Sequence, residues 1–142
     1  MAQDDFSYKA GAEPFFNIVM KGLGDRVTGN NFWEACEPNA TFEFMYHFPG
    51  VSPIVNGRDA YHEWFKGYNV KLTSADGLRV YPAEDGEHVT LEYTVHGSIP
   101  TSGKNDYENR FCSVVTIKNH KIVYWRDYMD SLAAMLGNQP QE

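Results

Sequence analysis

Tyr107–Asp130, YENRFCSVVTIKNHKIVYWRDYMD, decides the fold. Residues 107–117 mix aromatic and β-branched side chains and read as a long strand, and residues 121–130 read as another. Asn119-His120 between them is a two-residue hairpin turn. Side chains alternate across a strand, so Val123, Trp125 and Asp127 share one side, and Tyr124, Arg126 and Tyr128 share the other. A carboxylate on the Trp side of a sheet that closes over an aromatic cavity is desolvated. Its pKa rises, and it can move a proton near neutrality. The alternative for Asp127 is a structural ion pair with an arginine at the sheet end.

Upstream of that hairpin, residues 88–97 (HVTLEYTVHG) form a further strand behind the turn Glu84–Glu87. Leu78–Tyr81 is a short strand, and Pro100–Asp106 (PTSGKND) is a polar loop. Before these lie two amphipathic helices. One runs over residues 14–28, started by Pro14, with Phe15, Phe16, Ile18, Val19, Leu23 and Val27 at helical spacing. The other opens at Gly57-Arg58-Asp59 and carries Ala60, Tyr61, Trp64 and Phe65. A short helical turn over residues 32–36 ends at Glu37-Pro38-Asn39. Ala40–Phe48 (ATFEFMYHF) is a strand, Pro49–Pro53 a loop, and Ser131–Leu136 a terminal helix stopped by Gly137. Helices first and a strand meander second give an α+β fold: a curved, mostly antiparallel sheet forming a cone wrapped on N-terminal helices. The whole of 1–142 is expected to be one domain, with a core of about residues 14–137 and flexible ends.

Composition narrows the function. The 142 residues carry 12 Lys+Arg against 19 Asp+Glu, a net charge of −7, with no basic cluster, which argues against nucleic acid as a partner. With 42% hydrophobic and 22% charged residues the chain can bury a core. No apolar run suits a membrane span and the polar, acidic start does not read as a signal peptide, so neither is expected and a cytoplasmic location is. Aromatic residues reach 15%, which suits a lined cavity or a large interface. Cys36 and Cys112 lack metal-ligand spacing and read as small core residues. His and carboxylate spacing suggests no metal site, and neither phosphate- nor dinucleotide-binding glycine motifs occur, so chemistry without a cofactor is expected.

Three motifs together resemble the nuclear transport factor 2-like superfamily: the strand, loop and Gly57-Arg58-Asp59-Ala60 helix start; Tyr107-Glu108-Asn109-Arg110-Phe111; and Lys121-Ile122 followed by Trp125-Arg126-Asp127-Tyr128-Met129-Asp130. The resemblance spans residues 14–137. It is nearest to SnoaL-like polyketide cyclases, ketosteroid isomerases, limonene epoxide hydrolases and the phenazine-biosynthesis A/B proteins. From the epoxide hydrolases it implies that Asp127 is a general acid/base. Their partner Arg and second Asp fall here on Thr94 and His96, which argues against epoxide hydrolysis by their mechanism. From the ketosteroid isomerases it implies a proton-shuttling position at Phe44 and an oxyanion-binding position at Asn109, whose amide can donate a hydrogen bond without pKa tuning. From the phenazine-type proteins it implies an acidic site at Glu108 and a pocket histidine at His62. Glu108 and Asn109 point to opposite faces of a regular strand, and Asn109 is the expected pocket residue.

His96 stands where relatives put a catalytic group and reads as an acid/base, or as a plain hydrogen-bonded histidine. Tyr46 reads as an oxyanion donor on the face of Phe42 and Phe44, with His47 beside it at the mouth. Trp125 and Phe111 complete the expected substrate lining, while His88 and His120 sit at turns. The resulting expectation is a cofactor-independent isomerase or cyclase acting on an apolar carbonyl compound through Asp127, with His96, Asn109 and Tyr46. The alternatives are a non-catalytic module that binds a hydrophobic small molecule, and a structural dimerisation domain. The resemblance also implies a homodimer through the open sheet face, where Tyr124 and Tyr128 would lie.

Overall fold

A computed structural model of the chain describes residues 11–46 and 48–141. Pro14 sits at the start of α1 (Glu13–Leu23), where its missing N–H costs nothing, and Phe15, Phe16, Ile18, Val19, Gly22 and Leu23 form the buried face. The helix is shorter than the expected 14–28. It gives way to a 3-10 turn over Gly24–Arg26, and Val27 is buried from an extended backbone. Gly22 lets α1 approach the sheet: a Cβ there would lie 2.9 Å from a Leu91 methyl.

Six strands follow: β1 (Cys36–Phe44), β2 (Ile54–Asn56), β3 (Lys71–Pro82), β4 (His88–Ile99), β5 (Lys104–Lys118) and β6 (Lys121–Met129). Helix α2 (Arg58–Trp64), prolonged by a 3-10 turn over Phe65–Gly67, lies between β2 and β3, and α3 (Ser131–Gly137) follows β6. The sheet order is β2-β1-β6-β5-β4-β3. All neighbours are antiparallel except β1 and β6, which run parallel. This is the expected α+β arrangement of three helices with one mostly antiparallel sheet.

Local differences from the sequence reading have physical causes. Glu37-Pro38-Asn39, expected to stop a helical turn, lies inside β1, where the register with β6 shifts between Cys36 and Thr41 and accommodates the proline. The polar run Lys71–Gly77 reads as no strand, yet it is the first half of β3, an edge strand with two register shifts against β4. An edge strand needs a partner on one side only, and polar side chains there discourage further pairing. The turn at Asn119-His120 is as expected, both residues adopting positive φ (53° and 62°).

Alternation along β4 and β5 buries one face, including Leu91, Tyr93, Val95, Asn109, Ser113 and Val115, and leaves the other in water. Against the buried face α1, α2 and the 32–35 turn set a continuous aromatic cluster. Phe42 stacks on Tyr61 at 4.1 Å, and Phe32 meets Trp125 edge-on at 5.4 Å. Burying each such ring stabilises the fold by roughly 1.5–3 kcal/mol, which is where the stability of this small domain resides. No helix among the described residues is long and apolar enough to cross a membrane.

Candidate functional site

The cluster stops short of filling the concave face. A cavity of about 650 Å³ remains between α1, α2, the segment after β1, the inner faces of β5 and β6, and α3. Its walls include Phe15, Phe44, Tyr61, Trp64, Phe65 and Phe111, and its rim carries the amides of Asn69, Asn138 and Gln139. Among the described residues, Asp127 is the one carboxyl group in the lining, and no Lys, Arg or His joins it.

Asp127 is placed there by register. Parallel pairing sets it beside Phe44 of β1, and antiparallel pairing sets it beside Ser113 of β5. Counting back from the hairpin turn, with Lys118 opposite Lys121, would pair Asp127 with Cys112. A register shift between Thr116 and Ile117 moves the pairing by one residue and brings Ser113 in. The Ser113 hydroxyl donates to Asp127 Oδ1 at 2.5 Å. Its single proton is thereby committed, so Tyr93 donates to Ser113 Oγ at 2.8 Å. Tyr93 in turn stacks on Phe111, with ring planes 2° apart at 5.7 Å, which fixes its direction.

Asp127 is 3% exposed. Burial pushes its pKa up to about 6, while the Ser113 hydroxyl and then the Trp125 indole favour the anion and limit the rise. The indole N–H has no hydrogen-bond partner of ordinary geometry, so its dipole is the weaker help. The outcome is a carboxyl group that is mostly ionised at pH 7 and is reprotonated within reach of neutrality. Burial, aided by the Asp127 charge, pushes the phenols of Tyr46 and Tyr61 far above their ordinary value, so they remain neutral donors. Tyr68 is held up by burial, by Tyr107 and by Asp127. Cys36 and Cys112 are likewise pushed up by burial, which keeps both as thiols.

Asp127, Phe44, Tyr46 and Phe111 of the expected residues meet at the cavity. Phe42 and Trp125 share their face but lie in the solid core behind it. Asn109 faces inward, as expected, and Glu108 outward. The Asn109 amide is nevertheless fully occupied: it donates to the Tyr107 hydroxyl at 2.7 Å and to the Asp130 carbonyl at 3.1 Å, and it accepts from the Asp130 amide at 3.1 Å. It clamps the strand end that leads into α3 and does not line the cavity. His96 corrects the expectation most clearly. Thr90, Thr94 and His96 do share a face, but it is the outer one, because Leu91, Tyr93 and Val95 take the inner one. There His96 lies 3.1 Å from Asp76 and 3.6 Å from Glu108, across the sheet from Asp127. His62 packs edge-on against Trp33 at 4.9 Å, away from the cavity. His47 lies outside the described residues.

Sequence reasoning missed Ser113, Tyr93 and the wall residues Tyr68, Tyr107 and Trp64. A small hydroxyl residue on the apolar inward register of β5 was the available signal for Ser113. Among the described residues, no group of three or more His, Cys, Asp or Glu side chains is placed to hold a metal ion.

Residues 27–125 match the model of the SnoaL-like domain. The uncharacterised protein YesE of Bacillus subtilis (strain 168) is 30% identical over 101 residues, which cover 70% of this chain and 68% of that one. A solved Bacillus subtilis structure, provisionally named an isomerase, superposes with a TM-score of 0.70 at 24% identity, covering 93% of this chain and 94% of that one. A phenazine biosynthesis-related protein from Pseudomonas aeruginosa does so at 0.65 and 18% identity, covering 94% and 90%. A match over most of the chain, on a six-stranded, mostly antiparallel sheet whose helices close over an aromatic cavity, makes this protein a member of the SnoaL-like domain family, with the ketosteroid isomerase-like fold.

Proposed function

We propose that the protein is a cofactor-independent acid–base enzyme of the isomerase or cyclase kind, acting on an apolar carbonyl compound in the aromatic cavity. The observation that carries this reading is Asp127: the sole carboxyl group in the described lining, buried, and poised at about pH 6. The carboxylate removes a proton from the carbon beside the carbonyl. The electron pair moves onto the carbonyl oxygen, where the neutral Tyr46 hydroxyl donates to the enolate. Asp127, now a neutral acid, returns the proton to a different carbon, or to the same framework after ring closure. A positioned base typically supplies about 10²- to 10⁴-fold, and an oxyanion donor about 10²- to 10³-fold more. His96 and Asn109 have no part in this scheme, since neither side chain lines the cavity.

The test needs no knowledge of the natural substrate. Apolar cyclic ketones are incubated with the protein in D2O, and deuterium entry beside the carbonyl is followed by NMR. The wild type is expected to catalyse exchange, and Asp127→Asn to abolish it. Exchange that persists in Asp127→Asn removes Asp127 as the base. Ketones that bind without exchanging turn the reading into a non-catalytic module for a hydrophobic ligand.

A further inference from the structure

Among the described residues, the Asp127 carboxylate has no cationic counterpart. Its hydrogen-bond partner is the neutral Ser113 hydroxyl, and the ion pairs among the described residues all lie elsewhere. The groups that electrostatically face it from the surrounding elements are the phenols of Tyr46, Tyr61, Tyr68 and Tyr93 and the thiol of Cys112. All are pushed up and stay neutral through the physiological range. Phe15, Phe44, Trp64, Phe65 and Phe111 add further aromatic rings to the lining, beside aliphatic groups and the neutral rim amides, and an aromatic face carries partial negative charge. The binding of a neutral ketone gains no charge–charge attraction from the buried anion or from the negative aromatic faces. A small inorganic cation is poorly served as well, because it demands several oxygen ligands and no such cluster is present among the described residues. A cation that spreads its charge over an apolar shell uses both features.

We propose that the cavity binds an apolar organic cation, a tertiary or quaternary ammonium group, seated on the Asp127 carboxylate and walled by Phe44, Tyr46, Tyr61, Trp64 and Tyr68. The cavity's size, about 650 Å³, admits such an ion with further apolar substituents. The net charge of −7 attracts cations to the protein at large. This binding requires the cavity and its charge, and it does not depend on proton transfer to carbon.

The probe is benzyltrimethylammonium, with neopentylbenzene as its neutral isostere. Binding is read by quenching of tryptophan fluorescence, since Trp64 forms part of the wall, and by calorimetry. At pH 8 the cation should bind about 30-fold more tightly than the isostere, the carboxylate and the aromatic faces acting together on a desolvated cation. Because Asp127 titrates at about 6, cation affinity should fall about tenfold between pH 8 and pH 5, while isostere affinity stays level. Asp127→Asn should lower cation affinity at pH 8 about tenfold and abolish its pH dependence, and the wild-type pH dependence tests the same contact if that variant folds poorly. Equal or tighter binding of the isostere at pH 8, or a cation affinity indifferent to pH, overturns the proposal. Deuterium exchange in ketones without cation binding sinks this inference alone, and cation binding without exchange sinks the catalytic reading alone.

Discussion

Replacing Ser113 with alanine removes the hydroxyl that donates to Asp127, at 2.5 Å. A hydrogen bond to a charged group contributes roughly 1.5–3 kcal/mol. At about 1.36 kcal/mol per pKa unit, its loss raises the Asp127 pKa from about 6 by about one to two units. The ionised fraction at pH 7 then drops from about nine-tenths to between one-half and one-tenth. Two readouts follow. The carboxyl carbon of Asp127, watched by ¹³C NMR, should titrate at higher pH in Ser113→Ala. The acid limb of the pH–rate profile for ketone exchange should move the same way, while the rate on the high-pH plateau is retained. The substitution also strands the Tyr93 hydroxyl, which is buried and loses its acceptor. Stability should therefore fall by about 1–3 kcal/mol, and adding Tyr93→Phe should recover part of it, because removing both partners leaves no unsatisfied group. A midpoint that stays put in Ser113→Ala would refute the assignment of the hydroxyl as the group that holds Asp127 down.

Asp127 itself should cost the protein stability. Its folded pKa of about 6 lies above the ordinary 3.8, so the folded state binds the proton more tightly, and stability falls as pH rises from about 4 through 6. Asp127→Asn should remove that slope and gain up to about 3 kcal/mol at pH 8, read from urea midpoints; a wild type equally stable at pH 5 and pH 8 would contradict it. Asn109→Ala should loosen the entry to α3, costing about 1–3 kcal/mol and speeding hydrogen exchange at the Asp130 and Ala133 amides, with unchanged protection counting against the clamp. Gly97→Ala should be among the most damaging single changes. The new Cβ would sit 2.1 Å from the Lys71 carbonyl oxygen and 2.8 Å from Leu72 Cα, backbone atoms of the paired strand, and a loss of about 3 kcal/mol is expected in thermal or urea unfolding.

The sequence by itself determined the α+β class, the order of the helices and longer strands, the hairpin at Asn119-His120, and the shared face of Trp125 and Asp127; it favoured Asn109 over Glu108 as the inward residue without deciding between them. These follow from local rules, turn chemistry and the two-residue period of a strand, which act over a few neighbouring residues. It did not determine which polar runs pair. Lys71–Gly77 looks like a loop until β4 offers it hydrogen bonds, and Ile54–Asn56 is too short to announce itself. Nor did it determine which face of β4 turns inward. His96 and Tyr93 lie three residues apart, on opposite faces, and either face carried plausible side chains until α1 packed on the face of Leu91 and Tyr93. The site was decided most of all by register. The one-residue shift between Thr116 and Ile117 carries Ser113, rather than Cys112, opposite Asp127. An irregularity of that kind is set by packing across the whole sheet. The identity of the carboxylate could thus be read along the chain, whereas the hydroxyl that tunes it, and the empty aromatic space that gives it a purpose, exist only once the strands are paired and the helices close over them.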